Sequence, residues 1–150
     1  MEELKKDYYI KIIGKQQVDG ETDVIEVETT ASYECKDGVK YISYTEYIED
    51  ENGQSEKDTL VKIESDTLIS IIRTGDFQSQ LMLELDRQHQ CYYSTPFGQM
   101  LIKVYAGAME IELDEDGGYV RVQYSLNFNS DFGSENEFVI ELHKLPYKTE

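Results

Sequence analysis

The chain has no tryptophan, only two prolines and only two cysteines among its 150 residues. Cys35 and Cys91 allow at most one disulfide, which excludes the cysteine-dense framework of a small secreted domain. Long apolar runs are missing as well. The first one, Tyr8-Tyr9-Ile10, is cut at Lys11, too short for a membrane span or a signal peptide. A cytoplasmic protein with two free thiols is the expectation, because reducing compartments rarely keep disulfides. Basic residues are scarce: 14 Lys and Arg stand against 31 Asp and Glu, a formal charge of −17. Nucleic-acid binding needs basic clusters that displace phosphate counterions, and none is visible. An anionic membrane surface would repel the chain for the same reason. Neither nucleic acid nor membrane is expected as a partner, and the acid excess reads as a solvated outer face.

What the chain does have is alternation. From Tyr119 to Asn129, Val120, Val122, Tyr124, Leu126 and Phe128 fall on one side and Arg121, Gln123, Ser125 and Asn127 on the other. Successive strand side chains point to opposite faces, so one face is dry and the other wet. Similar units repeat about ten times between turn signals, with the twelve tyrosines and five phenylalanines that strands favour. The pattern predicts strands near 8–17, 22–34, 40–49, 55–64, 67–74 and 81–85, then from His89, Met100, Met109 and Tyr119, and a last one around Phe138. Asp37-Gly38, Asn52-Gly53, Thr95-Pro96-Phe97-Gly98 and Asp116-Gly117-Gly118 supply the turns. The strand holding Leu68, Ile69, Ile71 and Ile72 is apolar on both faces, which predicts a central or covered position. Residues 2–6 leave room for a short helical turn. A chain of such units, with no linker or repeat, predicts one all-β domain over residues 1–150. An antiparallel up-and-down barrel of about eight to ten strands is the first choice and a β-sandwich the second.

Three segments in order, Ile72-Arg73-Thr74-Gly75, then Tyr93-Ser94-Thr95-Pro96-Phe97-Gly98, then Asp116-Gly117-Gly118 leading to Tyr124-Ser125-Leu126, resemble the YwiB-like family. These are small uncharacterised proteins, mostly of Firmicute bacteria, and the likeness runs from the first strand to the last. The resemblance implies a lipocalin-like (calycin) β-barrel and brings no activity, substrate, cofactor or catalytic residue. The chain lacks the Gly-x-Trp motif of true lipocalins. Only a short turn fits between Gln17 and Thr22, where fatty-acid-binding barrels carry a helical lid.

No catalytic constellation can be named, so an enzyme is not expected. His89 and Cys91 share one strand face, but two residues apart their side chains stand parallel instead of meeting. Asp114-Glu115-Asp116-Gly117-Gly118 lacks the position-twelve glutamate and flanking helices of a calcium loop, and reads as a turn. No cofactor and no metal are expected.

Two readings of function remain. In the first, the barrel is non-catalytic and binds a small apolar or amphiphilic ligand, anionic if Arg73 points inward, in an enclosed pocket of at least about 300 Å³. Arg73, Tyr44, Tyr93 and Tyr124 are its candidate binding residues, through a guanidinium fork, hydroxyls and ring faces. The plainer expectation for Arg73 is a structural pairing with one of many acids or an outer position, and for the tyrosines cross-strand packing. In the second reading the large inward residues fill the barrel, which then acts on a protein partner through its outer surface.

Overall fold

Short positive-φ turns decide the connectivity. Asp19-Gly20 (φ 52° and 83°) and Asp37-Gly38 (54° and 81°) are two-residue hairpin loops whose twist matches that of the strands they join. The structure, a computed structural model, describes residues 7–51, 53–75, 78–95, 98–129 and 132–145, without the side chains of 48, 50, 93–95, 129 and 132. Residues 2–6, Asn52 and Pro96-Phe97, each part of a sequence expectation, lie outside the described residues.

Ten strands follow: β1 (Tyr8–Val18), β2 (Glu21–Lys36), β3 (Val39–Asp50), β4 (Gly53–Ser65), β5 (Leu68–Thr74), β6 (Ser79–Glu84), β7 (Gln88–Thr95), β8 (Gly98–Asp114), β9 (Gly117–Asn129) and β10 (Phe132–Lys144). Each pairs antiparallel with the next, and β10 returns to β1 with Tyr8 opposite Lys144 and Gln17 opposite Glu135. The sheet thus closes into an up-and-down barrel, and the sandwich is set aside.

On β9, Val122 and Leu126 are buried and Tyr124 half-buried, while Arg121, Gln123 and Asn127 are exposed. A one-residue slip would have inverted that face. The two strands expected around Met100 and Met109 are instead one, the seventeen-residue β8. The inward set changes from even to odd positions there, and a bulge between Ala106 and Ala108 absorbs the extra residue. A bulge keeps the pairing while shifting the phase, which a sequence pattern reads as a break. On β5, Ile69 and Ile71 are buried inside, but Leu68 and Ile72 on the outer face are only half-buried. Leu60 and Gln80 flank Ile72 from the neighbouring strands; among the described residues no second layer covers this face. Both cysteines are free, Cys35 exposed and Cys91 buried.

The interior is packed at the end where β1 begins. Ile10, Ile42, Ile69, Leu83, Val104 and Leu142 are all buried there, and none is more than 0% exposed.

Outside the barrel, the Arg121 Nε donates to Glu137 Oε2 at 2.7 Å and Gln123 Nε2 donates to the same oxygen at 3.1 Å. These bonds, Arg121 first, hold the Glu137 carboxyl below its ordinary pKa. A carboxyl whose folded pKa is depressed adds stability that is complete above its unfolded value, about 4.3, and is lost as pH falls through the folded one. Urea unfolding of Glu137→Gln beside the parent should therefore show a stability gap near neutral pH that closes as pH falls below the ordinary carboxylate range. A gap that stays constant with pH would mean the carboxylate's charge contributes nothing.

Candidate ligand site in the barrel mouth

At the opposite end the inward alternation continues, but its residues turn polar. Gln16 on β1, Asp23 on β2, Glu46 on β3, Lys57 on β4, Arg73 on β5 and Asn136 on β10 all line one cavity of about 660 Å³. Its deeper wall is apolar, with Val61, Ile71, Leu81, Leu126, Phe138 and Ile140 among the lining side chains. An apolar pocket with a few convergent polar groups is the usual form of a small-molecule site.

The mouth is wide because the wall does not close fully on one side. β2 pairs with β3 only from Ser32 to Lys36, opposite Ser43 to Val39. Beyond that point the two strands part, and Ile25, which lines the cavity, is 67% exposed. An enclosed pocket is the sequence expectation; the observed one is open.

Arg73 follows Ile69 and Ile71 on the inner face of β5 and opposes Thr59 on β4 and Ser79 on β6. Among the described residues no carboxylate lies within salt-bridge distance of it. Asp23 and Glu46 line the same cavity, and neither forms an ion pair with it among the described residues. Tyr44 on β3 is buried, and Thr59 is its register partner. Burial pushes the Tyr44 hydroxyl above its ordinary pKa, an effect partly offset by the nearby Thr59 hydroxyl and Arg73 guanidinium. Thr59 itself is 2% exposed, and among the described residues its Oγ1, although close to the Tyr44 hydroxyl, has no partner with good hydrogen-bond geometry. An unsatisfied buried hydroxyl costs about 1–3 kcal/mol, a cost that a ligand oxygen at this point would relieve.

Tyr124 also lines the cavity, half-buried, with its ring edge-on to Phe138 at 6.1 Å between centroids. Tyr93 pairs with Ser79 and Met100 through the β7 backbone, but its side chain lies outside those described. The structure therefore brings together Arg73, Tyr44 and Tyr124.

The sequence reading missed Thr59, Lys57 and a small polar network on β10. Asn136 Nδ2 donates to Ser134 Oγ at 3.0 Å, and Gln16 Nε2 reaches the same oxygen at 3.4 Å. A signal was available. Polar residues continue the inner register of β1 to β6 and β10 toward one end only, which marks the end that is not packed.

His89 and Cys91 do not meet. His89 Nε2 lies 2.8 Å from Glu84 Oε1, and the Met82 N–H donates to Cys91 Sγ at 3.4 Å. Asp114 to Gly118 forms the turn between β8 and β9, with the Asp116 N–H donating to Asp114 Oδ1 at 2.8 Å.

Comparison with known proteins agrees with this architecture. Residues 10–140 match the family described as "Domain of unknown function (DUF1934)". The chain is 26% identical over 113 residues to the "Uncharacterized beta-barrel protein YwiB" of Bacillus subtilis (strain 168), covering 75% of this chain and 76% of that one. The crystal structure of the ywiB protein from Bacillus subtilis aligns with a TM-score of 0.78 at 23% identity, over 91% of this chain and 90% of that chain. This last likeness concerns the fold.

Proposed function

The chain belongs to the DUF1934 family of β-barrel proteins of unknown function, and we propose that it is a non-catalytic, calycin-like barrel holding a small amphiphilic anion. The tail would lie against Val61, Ile71, Leu81 and Phe138, and the charged head would accept hydrogen bonds from Arg73 and the hydroxyls of Tyr44 and Thr59. One observation carries this reading: among the described residues Arg73 stands inside the mouth with no carboxylate partner, beside the buried Thr59 hydroxyl, which has no hydrogen-bond partner there. A guanidinium in that setting recognises a planar carboxylate through two donors.

Decanoate and decanol, compared by calorimetry, test it. Arg73→Ala should weaken decanoate about tenfold to a hundredfold and change decanol by no more than about threefold. Equal effects on both, or no binding of either to the parent protein, would rule it out.

A second reading has its own observation. Tyr92 and Leu101 are register partners on the outside of β7 and β8 and are 63% and 44% exposed, with Tyr105 further along at 40%. Exposed aromatics grouped on one face suit a protein partner. Native mass spectrometry of protein from its own host separates the readings, by co-purified small-molecule mass or by a bound chain.

A further inference from the structure

Two seams interrupt the pairing around the barrel. Between β6 and β7 only Ser79 and Tyr93 are paired among the described residues, but the Met82 N–H to Cys91 Sγ bond spans the gap, which leaves no room for another strand. The β2–β3 seam is different. Pairing there ends at Ser32 and Ser43, so β2 from Glu21 to Ala31 is bonded to β1 alone and β3 from Tyr44 to Asp50 to β4 alone. Each presents an open row of backbone N–H and C=O groups to the split, and open edges are templates for an added strand.

We propose that an extended segment of a partner protein, with basic and apolar residues in alternation, inserts into this split antiparallel to β2. Three features define the occupant. The open edge of β2 is the longer of the two, and antiparallel pairing is the more stable per residue. Val24 and Ile25 on β2 and Tyr47 on β3 are 57%, 67% and 62% exposed, so apolar side chains flank both open edges. The segments 21–31 and 44–50 together hold seven Asp and Glu and no Lys or Arg.

The alternation of β2 then sets the pattern. Ile25 and Val27 line the cavity, whereas Glu26 and Glu28 are exposed and do not. Opposite residues 25–28, every second residue of the added strand would meet an apolar wall, and those between would meet carboxylates. Main-chain hydrogen bonds supply affinity in such strand addition, and the alternate side chains supply specificity. A second copy of this chain is a poor occupant, because two molecules of charge −17 repel.

The probe is an acetylated, amidated Lys-Val-Lys-Val-Lys-Val-Lys peptide added to the whole protein, read by calorimetry and amide hydrogen exchange. Binding should slow exchange within 21–31 by about tenfold or more and weaken as salt is raised. Glu26→Lys combined with Glu49→Lys, both at exposed positions, should weaken it about tenfold. Arg73→Ala should leave peptide affinity within about threefold, which separates this result from the small-anion reading. Three outcomes would overturn the proposal: no binding, protection outside 21–31 and 44–50, or equal binding by a peptide N-methylated at alternate amides. The last would mean charge alone holds it. A protein that sediments as a dimer with 21–31 already protected would overturn the choice of occupant.

Discussion

Gly118→Ala is expected to cost about 3 kcal/mol or more and to lower the melting temperature by about 10 °C, at roughly 2–4 °C per kcal/mol for a chain of this size. β9 starts at Gly117 and Gly118 with φ of 116° and 140°. A β-carbon on Gly118 would strike the carbonyl of Glu112 on β8, and one on Gly117 the carbonyl of Leu142 on β10. Here three strands approach more closely than side chains permit. The left-handed backbone alone costs an alanine about 1–3 kcal/mol. Displacing a hydrogen-bonded neighbour in a close-packed wall adds to it. Gly20→Ala separates the two terms. Its φ is 83° with open space around the position, so only the backbone cost of about 1 kcal/mol should appear. Equal thermal shifts for the two variants would show that the close approach does not matter.

The Gly-Gly pair was visible in the sequence as a turn, but not as a point of contact between strands. That difference runs through the whole fold. Alternation within a strand is a local property, so the inner and outer faces of β9 and the loops at Asp19-Gly20 and Asp37-Gly38 were legible. Pairing is not local. The bulge in β8 looked like a gap because a phase change and a loop leave the same mark on hydrophobic periodicity. The parting of β2 from β3 has no local mark at all. Both segments alternate normally, and what separates them is the geometry of closing strands as unequal as the sixteen-residue β2 and the six-residue β6 around one axis. Arg73 continues the inner register of Ile69 and Ile71 on β5, a position that strand alternation gives by counting. Whether an acid meets it there cannot be counted, because that depends on which strands face it across the barrel. Thr59 went unnoticed because a threonine in a strand is ordinary; only burial without a partner sets it apart.

Leu83→Ala should cost about 3–5 kcal/mol, and Leu81→Ala clearly less, although the two residues face the same way on β6. Leu83 is 0% exposed in the packed end and opposes the equally buried Ile69. Truncation there removes apolar contacts and leaves a void, since a hydrogen-bonded barrel wall cannot collapse inward to fill it. Leu81 is 6% exposed and lines the mouth cavity. Its loss would enlarge a space already open to water, so most of the void term is absent and roughly the transfer term of about 2 kcal/mol remains. Urea unfolding of both variants, with the slope of the transition held as a check on two-state behaviour, gives the comparison directly. Equal losses would mean that Leu81 is packed as tightly as Leu83. The mouth would then be as solid as the base, an amphiphile's tail would have no room beside Val61 and Ile71, and the barrel would have to act through its outer surface or its open strand edges.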